Sequence, residues 1–269
     1  MAVEELRDLT DPRLADFAHL RAPSTRMRHE RERGIFTVEG WLSLEALLAS
    51  PYAVRSVLVT LEQAARATAL VPDDVPTYGI PTDALVEVTG VNFHRGVLAV
   101  AERPELPPVA DVVAGARRVL VLEGVNDHEN VGSLFRNAAA FGVDAVVLDP
   151  TTADPLYRRA TRVSLGHVLR VPFARVDDGG WPAALDDLRA AGLTTVALTP
   201  SGDAEPLSRL VAAALPRVAL LVGSEGPGLT DAALAAADRR VRIPMAAGTD
   251  SVNVATAAAI ALAALHGDG

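Results

Sequence analysis

The sequence predicts two α/β units in succession, a small mixed module followed by a larger domain built on a parallel sheet. Three observations carry this. From Arg117 onward, short continuous apolar runs alternate with helical patterns, as expected of strands buried on both faces. Before residue 104, short strand and helix patterns mix without that regularity. Between the two, Arg103-Pro-Glu-Leu-Pro-Pro-Val109 is rich in proline and polar at its edges, which marks a linker. The reading is a first domain over 1–104, a linker over 105–116 and a second domain over 117–269.

In the first domain, Asp11 to Leu20 reads as a capped helix, with Asp11 as N-cap and Pro12 at the first helical position. Thr37 to Leu48 carries Val38, Leu42, Leu44, Leu47 and Leu48 at helical spacing. Ala53–Val59 reads as a strand, Glu62–Leu70 as a helix and Val97–Val100 as another strand. In the second domain the expected strands are Val119–Leu122, Ala145–Leu148, Thr195–Leu198, Val218–Val222 and Val241–Ile243. Helices are expected over Val131–Phe141, Trp181–Ala191 and Val252–His266. Ligands of such a sheet bind at the carboxyl ends of its strands. Function is therefore expected on the loops after Leu122, Leu198, Val222 and Ile243.

Composition narrows the classes. The chain has 269 residues, 49% hydrophobic and 22% charged, enough for real cores, with aromatics at only 4%. It has no Cys, which excludes a disulfide framework, a thiolate nucleophile and a Cys-based zinc site. No His/Asp cluster at ligand spacing suggests any other metal. The N-terminus is charged rather than signal-like, and no apolar run of membrane-spanning length occurs, so a cytoplasmic protein is expected. The net charge of −9 argues against a generic nucleic-acid binder. Its distribution points the other way. All 25 basic residues are Arg, and they cluster at Arg21, Arg26, Arg28, Arg31 and Arg33 and again at Arg158, Arg159, Arg162 and Arg170. Arg suits bidentate phosphate contact. Because Glu30 and Glu32 interrupt the first cluster, a solvated helix face is a competing reading of it.

Three loops are unusual. One runs Glu123-Gly-Val-Asn-Asp-His-Glu-Asn130-Val-Gly132-Ser-Leu-Phe-Arg136. A second is Val222-Gly223-Ser224-Glu225-Gly226-Pro227-Gly228-Leu229. The third spans Ile243-Pro244-Met245 to Ser251-Val252-Asn253-Val254-Ala255. None is a dinucleotide fingerprint or a phosphate-binding P-loop, so hydride transfer and nucleotide hydrolysis are disfavoured.

These loops resemble the three motifs of the SpoU/TrmH family of RNA ribose 2′-O-methyltransferases, in the SPOUT superfamily. Asn130-x-Gly132-x-x-x-Arg136 matches the first motif, Gly223 to Leu229 the second and Ile243 to Ala255 the third, with Val252 where Leu is commoner. The match spans about 150 residues. Val38-Glu39-Gly40 and His94 to Ala99 match, more loosely, the family's small ribosomal-protein-like substrate-binding domain. The resemblance implies a deep trefoil knot in the parallel-sheet domain, against the general rarity of knots. It also implies S-adenosyl-L-methionine as cofactor, a homodimer through the knotted domain, and RNA as substrate, with ribosomal RNA (23S) favoured over tRNA. The alternatives are a tRNA enzyme or an RNA-binding protein that has lost catalysis.

Carried over by motif, the resemblance implies catalytic roles for Arg136, Asn130, Glu225, Ser251 and Asn253. It implies cofactor contacts from Leu198, Thr199, Gly223, Ser224, Gly226, Ile243, Met245, Val252, Asn253 and Ala255. RNA contacts are expected from Arg26, Arg28, Arg95, Arg158, Arg159 and Arg162. Arg136 is the proposed activator of the 2′-hydroxyl in the family, yet Arg does not normally deprotonate. A milder role is electrostatic, holding the adjacent phosphate and the developing alkoxide. Asn130 and Ser251 each have a competing reading as helix N-caps, and His128 invites a general-base reading that the motif does not assign.

Overall fold

The structure is a computed structural model that describes residues 3–91, 96–246 and 251–266. Its chain divides into two units. One comprises Met1–Glu105 with Leu156–Arg170, the other Leu106–Pro155 with Val171–Gly269.

The first unit holds β1 (Glu4–Glu5), α1 (Pro23–Arg33), β2 (Ile35–Glu39), α2 (Trp41–Leu48), β3 (Val54–Thr60), α3 (Ala64–Leu70), β4 (Thr77–Ile80), α4 (Leu85–Thr89) and β5 (Val97–Glu102). Its five-stranded sheet runs β1-β4-β3-β5-β2, with β5 antiparallel to both β2 and β3. Leu14, Phe17, Ile35, Leu58, Ile80, Leu85 and Leu98 form one core on it. The segment expected to be one helix over Thr37–Leu48 divides. Ile35 to Glu39 are all buried and pair with β5, and the helix starts only after Gly40. Strand pairing overrides the helical spacing because both faces of that strand are covered. Asp11 does cap a helix, a 3-10 turn over Pro12–Phe17, by accepting from the Arg13 N–H.

Arg26 lies on the inward face of α1 and is fully buried. Its Nε donates to Glu30 at 2.9 Å, and its terminal nitrogens donate to the carbonyls of Asp16 and Ala18 and to Thr37. This corrects the expectation that Arg26 meets RNA: a guanidinium with no solvent-facing surface and a buried carboxylate partner is part of the core. Burial also pushes the Glu30 carboxyl above its ordinary range, opposed by the Arg26 charge.

The second unit begins with α5 (Val109–Val113), β6 (Arg118–Glu123), α6 (His128–Ala140) and β7 (Ala145–Leu148). The chain then enters the first unit for α7 (Arg158–Val163). There Gly166 sits at φ +80°, where a side chain's Cβ would lie 2.4 Å from Ala46 Cβ. Only glycine allows that approach. Arg158 and Arg162 both pair with the buried Glu39 of the same unit. Returning, the chain forms β8 (Phe173–Arg175), α8 (Leu185–Ala190), β9 (Thr194–Leu198), β10 (Glu205–Pro206), α9 (Leu207–Ala212), β11 (Val218–Gly223), α10 (Asp231–Ala236), β12 (Arg239–Arg242) and α11 (Val254–His266).

The seven-stranded sheet runs β10-β12-β9-β11-β6-β7-β8 and is parallel at every pairing. Val119, Val121, Val147, Ala219 and Leu221 face α5 and α8 residues in one core. Because strand side chains alternate, Leu120, Leu122, Leu148, Leu220 and Val222 turn to the opposite face, and they too are buried. Val131, Leu134, Phe135 and Ala138 line the buried stripe of α6, and α11 packs against α6. β7 and β8 extend to one side of β6 and β11, β9, β12 and β10 to the other, so the strand order reverses between β6 and β11. Crevices at such reversals are where ligands of parallel sheets bind. Among the described residues no helix is long and apolar enough to cross a membrane, and no group of three potential metal ligands occurs.

Candidate active site

The loops leaving β6 and β11 meet at that reversal. The β6 loop runs into α6, whose cap is Asp127, accepting from Glu129 N–H at 2.8 Å. Asn130 is thus not the cap but a buried residue of the first helical turn. The β11 loop is held closed by its glycines. A Cβ on Gly223 would fall 2.2–2.4 Å from the backbone of Gly228 and Leu229, so no other residue fits there without moving the loop. Across this closure the Gly228 N–H donates to the Ser224 carbonyl at 3.1 Å.

Three side chains from three separate segments of the chain converge. Asn130 Nδ2 donates to Glu225 Oε1 at 3.0 Å. Asn253 Nδ2 donates to the same oxygen at 2.7 Å and to Asn130 Oδ1 at 2.9 Å. Asn253 Oδ1 accepts the N–H groups of Ala255 and Thr256, so Asn253, not Ser251, caps α11. The residue that closes the triangle also fixes the start of the last helix.

Beside the triangle lies a cavity of about 410 Å³. Leu198, Thr199, Gly223, Ser224, Gly226, Ile243, Met245, Ser251, Val252 and Asn253 line it, as does Glu225. Sequence reasoning missed Pro200, Val222, Gly228, Val254 and Ala257 in its wall. Val222, Gly228, Val254 and Ala257 are motif residues or lie within two positions of one, and Pro200 directly follows Thr199. Ala255 is not in the wall; its N–H is taken by the cap. Arg136 is not in the wall either. It stands exposed on α6, six residues and so about 120° around the helix from the buried Asn130. His128 opens α6 and does not line the cavity.

The basic residues separate by environment. Arg28 is largely exposed and lies 3.9 Å from Glu32. Arg159 is exposed, whereas Arg158 and Arg162 are turned onto Glu39. Arg95 and His94 lie outside the described residues.

The SpoU rRNA Methylase family matches residues 117–263. An uncharacterized tRNA/rRNA methyltransferase of Mycobacterium tuberculosis is 49% identical over 265 residues, 96% of this chain and 90% of its own. The 23S rRNA (guanosine(2553)-2′-O)-methyltransferase RlmP of Bacillus subtilis is 32% identical over 236 residues, covering 86% of this chain and 88% of its own. Among solved structures, an AdoMet-bound rRNA methyltransferase from Sinorhizobium meliloti superposes with a TM-score of 0.81 at 27% identity, over 98% of this chain and 97% of that one. With Asn130, Glu225 and Asn253 of the three motifs meeting beside one cavity and 96% of its length aligned with such a relative, the chain belongs to the SpoU rRNA Methylase family.

Proposed function

We propose that the protein transfers the methyl group of S-adenosyl-L-methionine to a ribose 2′-hydroxyl of RNA, with 23S ribosomal RNA as the substrate class. The observation that carries this reading is the Asn130–Glu225–Asn253 triangle at the edge of the 410 Å³ cavity. The cavity suits the cofactor by size and by chemistry. Pockets for ligands of this kind run about 300–1,000 Å³ and are mostly apolar with a few polar groups. Leu198, Ile243, Met245, Val252 and Val254 supply apolar surface for an adenine ring, and Thr199, Ser224 and Asn253 supply polar contacts. No Arg or His is among the lining residues described, and Glu225 is. Such a lining favours a cationic ligand over a phosphorylated nucleotide, which counts against NAD.

The bound cofactor would supply an electrophilic methyl group on a sulfonium. The chain's own residues would do the rest. Glu225 is held by two carboxamides at the cavity edge. Asn130 and Asn253 fix that carboxylate. Arg136, exposed on α6 and outside the wall, would bind RNA phosphate and stabilise the developing alkoxide. We keep Ser251 as a contact to the ribose, and Arg28, Arg95 and Arg159 as contacts to phosphate. We take the first domain, 1–104, as the RNA-recognition module. The relatives' names favour rRNA: RlmP acts on 23S rRNA. We include in this reading a homodimer, action in the cytoplasm and the trefoil knot. The knot is supported by the return of the chain from β12, beyond β9 and β11 in the sheet, to pack α11 on α6.

The test is methyl transfer from labelled cofactor to bulk rRNA and bulk tRNA, followed by mapping of the modified ribose. Label in rRNA alone is the expected result. Label in tRNA alone would replace the substrate. Cofactor binding without transfer to either would favour an RNA-binding protein that has lost catalysis.

A further inference from the structure

Glu123, the last residue of β6, is one of few carboxylates in the second unit to be buried, and the triangle does not use it. It is 4% exposed. In the sheet its Cα stands opposite Gly223, where the glycine loop begins. Its carboxylate reaches the other end of that loop: Oε2 accepts the Thr230 N–H at 2.9 Å and Oε1 accepts the Thr230 hydroxyl at 2.7 Å. Oε1 also accepts from Trp181 Nε1. Thr230 is in turn the cap of α10, its Oγ1 accepting from Ala233 N–H at 3.2 Å. One side chain therefore stands beside the loop's entry and holds its exit. The same residue precedes Gly124, the start of the loop that delivers Asn130.

We infer that Glu123 is a positioning residue for the transfer reaction, the latch that fixes the glycine loop so that Glu225 meets Asn130 and Asn253 beside the cavity. This rests on the methyltransferase reading for its ligand but not for its geometry. The loop from Ser224 to Gly228 contains Gly226 at φ +87° and Gly228 at φ +75°. Such a segment has little conformational preference of its own, so its shape depends on what grips its ends. A buried acceptor pair aimed at one residue's N–H and hydroxyl is such a grip, strong because the acceptor is charged. All the donors it meets are N–H or O–H groups. An amide in its place sets an NH₂ against a donor whichever way it turns.

The test uses the full chain and three variants: Glu123→Gln, Thr230→Val and Thr230→Ser. Cofactor affinity is read by calorimetry with S-adenosyl-L-methionine, and amide exchange at Gly226 and Gly228 is read in the cofactor-free protein. E123Q and T230V are each expected to raise the cofactor Kd about tenfold, the consequence of losing a charge-assisted bond, and to speed exchange in the loop. T230S keeps both donors and is expected to stay within about twofold of the parent. In turnover, KM for cofactor rises in E123Q and T230V while KM for RNA does not, a split that a general loss of stability would not produce. If E123Q does not fold, the T230V and T230S pair decides. If the parent binds no S-adenosyl-L-methionine, the methyltransferase reading fails and loop exchange alone decides the latch. E123Q and T230V that fold, bind cofactor within twofold of the parent and leave loop exchange unchanged would overturn it.

Discussion

Asn253 and Glu225, 28 residues apart in sequence, meet at 2.7 Å, and the same Asn253 caps α11 with its other carboxamide atom. One side chain thus does two separable things. Its amide nitrogen closes the triangle; its oxygen receives the first N–H groups of the helix.

That division can be tested with Asn253→Ser and Asn253→Ala. Serine is as good a cap as asparagine but too short to reach Glu225 and Asn130. N253S should keep the parent's urea midpoint and lose turnover by about 10²-fold, the scale set by misplaced active-site groups. N253A should lose the same turnover and also about 1 kcal/mol of stability from the missing cap. Equal stability for the two variants would show that the cap contributes nothing.

Arg26 and Arg28 look alike in sequence and differ entirely in place. Arg26→Met leaves Glu30 buried without its cation and should cost about 3–5 kcal/mol by urea unfolding. In that variant the Glu30 carboxyl, already pushed up by burial, loses the charge that opposed the shift. Its folded pKa then lies above its unfolded one, so the associated stability is present at low pH and is lost as pH rises through the folded value. R26M should therefore come closest to the parent in acid and fall away toward neutrality. Arg28→Ala, at an exposed site, should change stability by less than about 0.5 kcal/mol. It should weaken RNA binding and reduce the salt slope by about one.

Those two arginines also mark where sequence reading stops. The sheet and its loops were legible because apolar runs of strand length are local, and the three motifs are contiguous. The triangle was legible only as a set of residues, since its geometry joins positions 130, 225 and 253. Four features were not legible. Thr37 to Glu39 carry helical spacing, but pairing with β5 decides their state. Asp127, three residues before Asn130, takes the cap because its side chain reaches the Glu129 N–H. Arg26 is indistinguishable from its neighbours until Glu30 and Thr37 are seen beneath it. The segment Leu156–Arg170 leaves the sheet unit for the first one, driven by Glu39 and by the Gly166–Ala46 approach, neither of which periodicity registers.

Asp149 fixes the loop after β7. It is 3% exposed, and it accepts from Gly124 N–H, Thr152 N–H and the hydroxyls of Thr151 and Thr152. Burial pushes its carboxyl up, but these four bonds together outweigh it and hold the pKa below the ordinary value. A depressed folded pKa gives stability that is present above the unfolded pKa and is lost as pH falls through the folded value. Asp149→Ala should cost about 3 kcal/mol at neutral pH by urea unfolding, through three or more donors left without a partner. Asp149→Asn should cost only about 1 kcal/mol, because Oδ1 holds three of the four donors and the Thr151 hydroxyl can turn to accept from the new NH₂. In both variants the difference from the parent should shrink below about pH 4, where the parent loses the same contribution.

Arg136 is the sharpest test of how the hydroxyl is activated. It is exposed on α6 and outside the cavity wall, so the cofactor should not sense it. Arg136→Lys keeps the charge and loses the planar fork that grips a phosphate in two bonds. Arg136→Ala loses both. If Arg136 acts by holding phosphate and the developing alkoxide, cofactor Kd should stay within about twofold in both variants. kcat should fall, by about 10² or more in R136A, the loss seen when one preorganised charge-stabilising donor is removed. R136K should fall between R136A and the parent, because a point charge retains part of the electrostatic effect. The pH profile separates this from proton abstraction. An electrostatic Arg136 leaves the shape of the kcat profile unchanged in R136K. A base at this position would move the profile to lower pH, since an amine gives up its proton more readily than a guanidinium. Near-parent turnover in R136K would remove the bidentate grip from the mechanism, and near-parent turnover in R136A would remove Arg136 altogether.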